Sequence, residues 1–167
     1  IPKYPTPIFR ENDDDISDVS MISNFLYLIN SQNFNTKSDF IEAVGATNYD
    51  LVIMDLYHND EMFTSEEIKQ LKIKHNGASR LVICYLSIGQ AEDYRYYWRD
   101  SWTVGNPDWL LDEDPDWDGC FRVKYWDNDW KAIIFGKADS YLDGIMAVGF
   151  DGVYLDIIDG FEYFEEN

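Results

Sequence analysis

Apolar and polar positions alternate in blocks along this chain. Five short apolar runs stand out: Phe25 to Ile29, Leu51 to Asp55, Arg80 to Leu86, Phe121 to Tyr125 and Gly152 to Ile158. Runs of this length, rich in Val, Ile, Leu and Tyr and without strict polar alternation, fit strands buried on both faces. The segments between them carry helical spacing. Lys37 to Val44 follows Thr36, a residue suited to cap a helix, and Thr64 with Glu67 three residues on forms a capping-box pattern that opens a helix ending near Asn76-Gly77. Trp130 to Val148 reads as one long helix, Ala91 to Arg99 as another, and the stretch from Asn106-Pro107 to Asp118-Gly119 as loop. Residues 1–20 hold three of the five prolines and the run Asp13-Asp14-Asp15, which predicts an irregular N-terminal arm before a domain at 21–167.

Strand, helix, strand, helix with crossovers of this length specifies an α/β fold with a parallel sheet. An open doubly wound sheet and part of a (β/α)8 barrel both satisfy the pattern. No Gly-x-Gly-x-x-Gly or Gly-Lys-Ser/Thr loop follows any strand, which counts against a nucleotide-binding sheet. Two of the runs close on a carboxylate, Asp55 and Asp156, and a third opens into Ser87-Ile88-Gly89-Gln90-Ala91-Glu92-Asp93. The C-terminal ends of parallel strands face the ligand crevice, so these acids are candidates for chemistry. An Asp at a strand end also serves as a turn former or a helix N-cap.

Composition narrows the function classes. The 167 residues include 32 acidic against 13 Lys plus Arg, a formal net charge of −19. Such a field repels phosphate backbones and attracts polycations, so nucleic acid is not an expected partner. No apolar run approaches the roughly 18 residues of a membrane span. Two cysteines, Cys84 and Cys120, are too few for a disulfide scaffold and match no zinc or redox spacing; Cys84 reads as a small buried apolar residue, and its pairing with Cys120 is left open. Asp114 to Gly119 copies the first half of a calcium loop, but Tyr125 stands where the bidentate Glu belongs. His58 and His75 are isolated and read as solvated surface residues, so neither metal nor cofactor is expected.

Three ordered motifs carry a resemblance: Leu86 to Trp98 (LSIGQAEDYRYYW), Val123-Lys124-Tyr125-Trp126-Asp127, and Gly149-Phe150-Asp151-Gly152-Val153-Tyr154-Leu155-Asp156. Together they resemble glycoside hydrolase family 114, TIM-barrel proteins of the endo-α-1,4-polygalactosaminidase type. The resemblance covers about Phe25 to Glu162. It implies a (β/α)8 barrel, of which this chain supplies roughly the first five βα units, that cleaves α-linked galactosamine-rich polysaccharide outside the cell or at its surface. Carried over by motif, Asp156 is the catalytic candidate, with the nucleophile role favoured, and Asp55, Tyr85, Glu92, Arg95, Trp126 and Asp127 line the pocket. A barrel of this kind takes about 250 residues, which leads to the expectation that the polypeptide is a fragment of a longer product or is completed by another chain.

Glycoside cleavage requires one carboxylate that attacks or activates water and one acid that protonates the leaving oxygen. Asp55, Glu92, Asp127, Asp156 and Asp159 supply the acids, and the residues alone do not select the pair. Aromatic faces stack on sugar rings, and Tyr94, Tyr96, Tyr97, Trp98, Trp102 and Trp109 crowd one segment, where core packing is the competing use. Arg95 binds a sugar hydroxyl in one reading and forms a structural ion pair in the other. The functional alternatives are a carbohydrate-binding or surface protein that keeps the barrel rim without turnover, and an assembly subunit that offers an unfinished sheet edge.

Overall fold

A computed structural model describes residues 7–166; the first six residues of the expected N-terminal arm and Asn167 lie outside the described residues. The chain divides into two compact units, residues 7–85 with 145–154, and residues 86–144 with 155–166.

The first unit is built on a sheet whose strands β1 (Phe25–Leu28), β2 (Leu51–Met54), β5 (Leu81–Ser87) and β9 (Gly152–Asp156) lie in that spatial order. β1 pairs in parallel with β2 in the register Phe25 to Leu51, and β2 with β5 in the register Leu51 to Leu81. Each crossover runs through one helix, α1 (Lys37–Gly45) and then α2 (Ser65–Leu71). All of β2 is buried, which is why its sequence is continuously apolar rather than alternating. Val52, Met54, Val82 and Cys84 of the sheet and Phe40, Val44, Ile68 and Leu71 of the two helices form the core, each no more than 1% exposed. The rings of Tyr27 on β1 and Tyr154 on β9 meet edge to face at 5.6 Å although two strands lie between theirs in the sheet. The sheet is therefore curled, as the wall of a barrel must be.

Both crossover helices start where the sequence says they do. Thr36 caps α1 in a capping box with Asp39, and Thr64 caps α2 with Glu67. The Thr64 hydroxyl accepts from the Glu67 backbone N–H at 3.2 Å, and the Glu67 carboxylate accepts from the Thr64 N–H at 2.8 Å. Thr64→Ala is expected to lower stability by about 1 kcal/mol; urea unfolding reads the loss, and an unchanged midpoint would show that the cap contributes nothing. α2 ends at Leu71 rather than near Gly77, because the chain turns back there: Ile73 bridges Ser79, and Gly77 takes a φ of +92°. Between β2 and α2 lies a hairpin of β3 (Tyr57–His58) and β4 (Glu61–Met62), which the sequence did not announce. His58 in it is buried, 3% exposed, and its ring stands 6.4 Å from Phe40, so the reading of a solvated histidine does not hold. His75 is exposed. Residues 7–18 have no regular secondary structure but are docked: Ile16 is buried, its N–H donates to the Ser79 carbonyl at 3.1 Å, and Asp15 accepts from the Ser79 N–H at 2.8 Å.

The second unit holds an antiparallel sheet in the order β6 (Gln90–Glu92), β8 (Cys120–Val123), β7 (Leu110–Glu113). Four expectations change here. The run from Phe121 is the middle strand of this small sheet rather than a strand of the parallel one, the expected loop contains β7, and the expected helix over Ala91 to Arg99 is β6 followed by turns. The long helix is two, α3 (Asn128–Ile134) and α4 (Tyr141–Val148), separated by Gly136 at φ +86° and restarted at Ser140, whose hydroxyl accepts from the Asp143 N–H at 3.3 Å. A short α5 (Glu162–Glu166) follows β9. Both cysteines are free thiols.

Candidate active site

Asp55, directly after β2, and Tyr85, within β5, belong to the first unit and are 9% and 7% exposed. The Asp55 carboxylate accepts from the Tyr57 N–H at 2.8 Å, so part of its capacity is spent on the turn that launches the β3–β4 hairpin.

The remaining predicted residues lie in the second unit. Asp156 is the last residue of β9 and is half-buried. Its carbonyl accepts from the Ile88 N–H at 3.1 Å, which ties the end of β9 to the Ser87-Ile88-Gly89 turn. The next residue, Ile157, has φ +56°, a conformation that a β-branched side chain adopts only under constraint. Gly89 makes room for it: a Cβ there would collide with the Ile157 carbonyl oxygen and lie 2.7 Å from its Cγ2. The glycine in the Ser-Ile-Gly-Gln motif thus serves the backbone that follows Asp156. Asp159 is exposed, and its carbonyl accepts from the Glu162 N–H at 2.9 Å at the start of α5.

Glu92 and Arg95 meet directly. Arg95 Nε donates to Glu92 Oε2 at 2.6 Å, with side chains 7% and 8% exposed, and the Tyr94 hydroxyl donates to Glu92 Oε1 at 2.6 Å. Arg95 Nη1 donates on to the Tyr141 hydroxyl at 3.0 Å, while the Glu92 N–H donates to the Tyr97 hydroxyl at 3.0 Å. Burial, reinforced by the Glu92 charge, raises the pKa of the Tyr94 and Tyr97 phenols well above their ordinary value, and the same causes push the Cys120 thiol up to about 11. Glu92 is therefore a buried carboxylate held by one guanidinium and one phenol, with Cys120 kept as a neutral thiol at physiological pH. The sequence singles out Glu92 and Arg95 as polar pocket residues and Tyr94 and Tyr97 only as sugar-stacking or core aromatics, so the hydroxyl partners that complete the network, Tyr141 among them, are seen only in the fold.

Trp126 is 49% exposed and packs on Phe164 at 4.6 Å and on Tyr125 at 5.0 Å, an aromatic ledge of the kind that stacks on sugars. Asp127 is the N-cap of α3 and accepts from the Asp129 N–H at 2.8 Å. Packing engages Tyr97, Trp102 and Trp109 of the crowded aromatics, which with Trp130 form a chain of ring contacts between 4.9 and 5.9 Å, and Trp109 is 3% exposed. Tyr94 and Tyr96 keep exposed faces. The calcium-like segment is spent elsewhere, since the Asp114 carboxylate accepts from Gln90 Nε2 at 2.6 Å and pairs with Arg122 at 3.4 Å.

The model of glycoside-hydrolase family GH114 matches residues 24–167. The chain belongs to that family. It is 42% identical over 163 residues to an uncharacterized protein of Methanocaldococcus jannaschii, covering 93% of this chain and 43% of that one. An uncharacterized protein of Thermotoga maritima is 42% identical over 127 residues, covering 74% of this chain and 36% of its own length. Among solved structures, the glycoside hydrolase domain of PelA from Pseudomonas aeruginosa superposes with a TM-score of 0.52 at 16% identity, over 83% of this chain and 45% of that one. This likeness shows the fold, the TIM-barrel type, and the GH114 chain spans less than half the length of each of these relatives.

Proposed function

We propose that this GH114 chain forms part of a glycoside hydrolase that cleaves α-1,4-linked galactosamine-containing polysaccharide, with Asp156 as the nucleophile. Family membership carries the hydrolase reading. The position of Asp156 supports its role: a half-buried carboxylate at the end of a sheet strand, on a backbone tied to the Ser87-Ile88-Gly89 turn and followed by a constrained residue. Glu92 and the Trp126 ledge are the next candidates for substrate contact in the second unit, and Asp55 and Tyr85 are those of the first. The remaining strands, and with them the acid/base carboxylate, come in this reading from a longer chain or a second one. A polymeric substrate does not cross a membrane, which favours action outside the cell or at its surface.

The test is hydrolysis of α-1,4-linked galactosamine oligomers, followed by mass spectrometry, with this chain and with the longest protein that contains it. Shorter oligomers are the expected products; a folded full-length protein that leaves the oligomers intact would refute the substrate assignment. A non-catalytic carbohydrate-binding protein is the second reading, favoured by the structural employment of Arg95 and Asp127. Free galactosamine units make the substrate polycationic, and a protein of net charge −19 attracts it through a field that salt screens over roughly 8 Å at physiological ionic strength. KM for oligomers is therefore expected to rise severalfold between about 0.05 and 0.5 M salt; a flat profile would remove charge from the account of recognition.

A further inference from the structure

Away from the catalytic residues, the first unit carries a chemically labile step. Asn76-Gly77 is the single Asn-Gly pair of the sequence, and both residues are exposed. It forms the tip of the turn that follows α2: the Gly77 N–H donates to the Lys74 carbonyl at 3.0 Å and the Lys74 N–H to the Ala78 carbonyl at 2.8 Å. A Cβ on Gly77 would meet no heavy atom within 4 Å, so nothing packs beside its α-carbon. In an Asn-Gly step the glycine nitrogen, once deprotonated, attacks Cγ of the asparagine. A C–N bond closes a succinimide ring and ammonia leaves. Water then opens the ring to aspartate or isoaspartate. The balance is amide plus water to carboxylate plus ammonium, without any oxidation or reduction, and the reactants are held together by the chain itself.

The same turn is the dock of the N-terminal arm. Asn76 Nδ2 donates to the Asn12 carbonyl at 3.1 Å, and Asn76 Oδ1 accepts from the Ala78 N–H at 3.1 Å. The Asn76 N–H donates to Asn48 Oδ1 at 2.9 Å, and Asn48 Nδ2 donates on to Glu11 Oε1 at 2.6 Å. At the two ends of the turn, Lys74 Nζ donates to Asn12 and to the Asp14 carbonyl, and Ser79 bonds Asp15 and Ile16. The side-chain amide of Asn76 is thus held at both its oxygen and its nitrogen, while the attacking nitrogen of Gly77 is engaged with Lys74. Bringing Cγ onto that nitrogen requires these bonds to open, so the reaction waits on local release of the arm.

We infer that Asn76 is a deamidation site that the docked arm protects, and that its conversion keeps the arm from docking again. The product loses the Nδ2 donor and sets a carboxylate against the Asn12 carbonyl oxygen. The arm carries Glu11, Asp13, Asp14 and Asp15, all exposed, and the new negative charge repels them. Isoaspartate in addition inserts a methylene into the backbone of the turn. Arm and turn therefore form a one-way latch: the amide is safe while the arm is down, and an arm once lifted long enough for the ring to close does not return. The inference stands on the first unit alone and is independent of the hydrolase reading.

The test incubates the protein in mildly alkaline buffer and follows the tryptic peptide of residues 75–80 by mass spectrometry, which separates amide from acid. Conversion is expected to run at least about tenfold slower in the folded protein than in the same protein held unfolded in guanidinium chloride, because opening precedes attack. Ile16 is the buried anchor of the arm, 3% exposed. Ile16→Ala, with folding checked by circular dichroism, is expected to raise the folded-state rate at least about threefold. Asn76→Asp reads the second half of the latch. The Ile16 N–H, bonded to the Ser79 carbonyl at 3.1 Å, is expected to exchange its hydrogen at least about tenfold faster in that variant than in the wild type. An unconverted peptide in the unfolded protein would overturn the site. Equal rates in the folded and unfolded protein, or in Ile16→Ala and the wild type, would overturn protection by the arm. Unchanged exchange at Ile16 in Asn76→Asp would overturn the latch.

Discussion

Asp50→Ala is expected to cost about 3–5 kcal/mol, a large share of the 5–15 kcal/mol that holds a typical domain folded. Asp50 and Lys74 form an ion pair at 2.7 Å with both side chains fully buried. The second carboxylate oxygen accepts from the Ser23 N–H at 2.9 Å and from Asn12 Nδ2 at 3.0 Å, and Lys74 Nζ donates to Asn12 Oδ1 at 3.1 Å and to the Asp14 carbonyl at 2.9 Å. The pair thereby anchors the arm onto the first unit. Removal of the aspartate leaves an ammonium in the interior with only neutral oxygens. Asp50→Ala with Lys74→Met is expected to recover much of the loss, because the penalty lies in the widowed charge more than in the missing attraction. Urea unfolding of the three proteins decides it, and a single-variant cost below about 1 kcal/mol would show the pair to be unimportant. Acid adds a second signature. Burial by itself would raise the Asp50 pKa, but hydrogen bonds from Lys74, Ser23 and Asn12 and the Lys74 charge outweigh it and hold the carboxyl below its ordinary value. A carboxyl with a depressed folded-state pKa stabilises at pH values above its unfolded pKa, about 3.9, and loses that contribution as pH falls through the folded value. Asp50→Asn is thus expected to flatten the decline in stability below about pH 4.

The parallel sheet was legible because strands buried on both faces leave continuous apolar runs, as in Leu51 to Met54, and because both crossover helices carry side-chain caps at their first residues. The second unit misled for a different reason. Glu92 and Arg95 have the three-residue spacing of a helical ion pair, yet they face each other across a turn in which the Arg95 N–H donates to the Glu92 carbonyl at 3.1 Å. An i,i+3 pair does not distinguish one turn from a helix. The break between α3 and α4 did leave a mark: Gly136 and then Ser140 with Asp143 three residues on is a stop followed by a start. Apolar residues on both sides of that mark, Ile134 and Tyr141 among them, hid it.

The candidate site divides along the same line. Acids at strand ends were legible because the parallel sheet that places them was. Asp127 caps α3, a use that a sequence does not separate from ligand binding, because an N-cap and a ligand-binding carboxylate look alike there. His58 sits among Tyr57, Asn59 and Asp60, a polar setting that suggests solvent, and only the fold of the hairpin over Phe40 buries it. Gly89 had a signal of its own, a glycine beside a strand end where a neighbouring backbone approaches.

Asp156→Asn is expected to lower kcat on galactosamine oligomers on the order of 10³-fold or more, about 4 kcal/mol of transition-state stabilisation, while KM changes little. The amide matches the carboxylate in size and leaves in place the backbone bond from the Ile88 N–H to the Asp156 carbonyl, so the positioning turn survives the change. On the proposed nucleophile role, the change removes the negative charge that would stabilise an oxocarbenium-like transition state and the oxygen that would form the glycosyl intermediate. A fall in kcat with KM preserved reports an interaction made only in the transition state; a rise in KM with kcat intact would make Asp156 a binding residue instead. Circular dichroism of the variant checks that folding is retained. Azide separates the two roles a carboxylate can play there. Added to Asp156→Gly, it takes the place of a missing nucleophile and yields a glycosyl azide, whereas azide without effect on an inactive variant assigns Asp156 to the activation of water. The oligomers cut by the wild-type protein, and left whole by Asp156→Asn, would tie the activity to the end of β9.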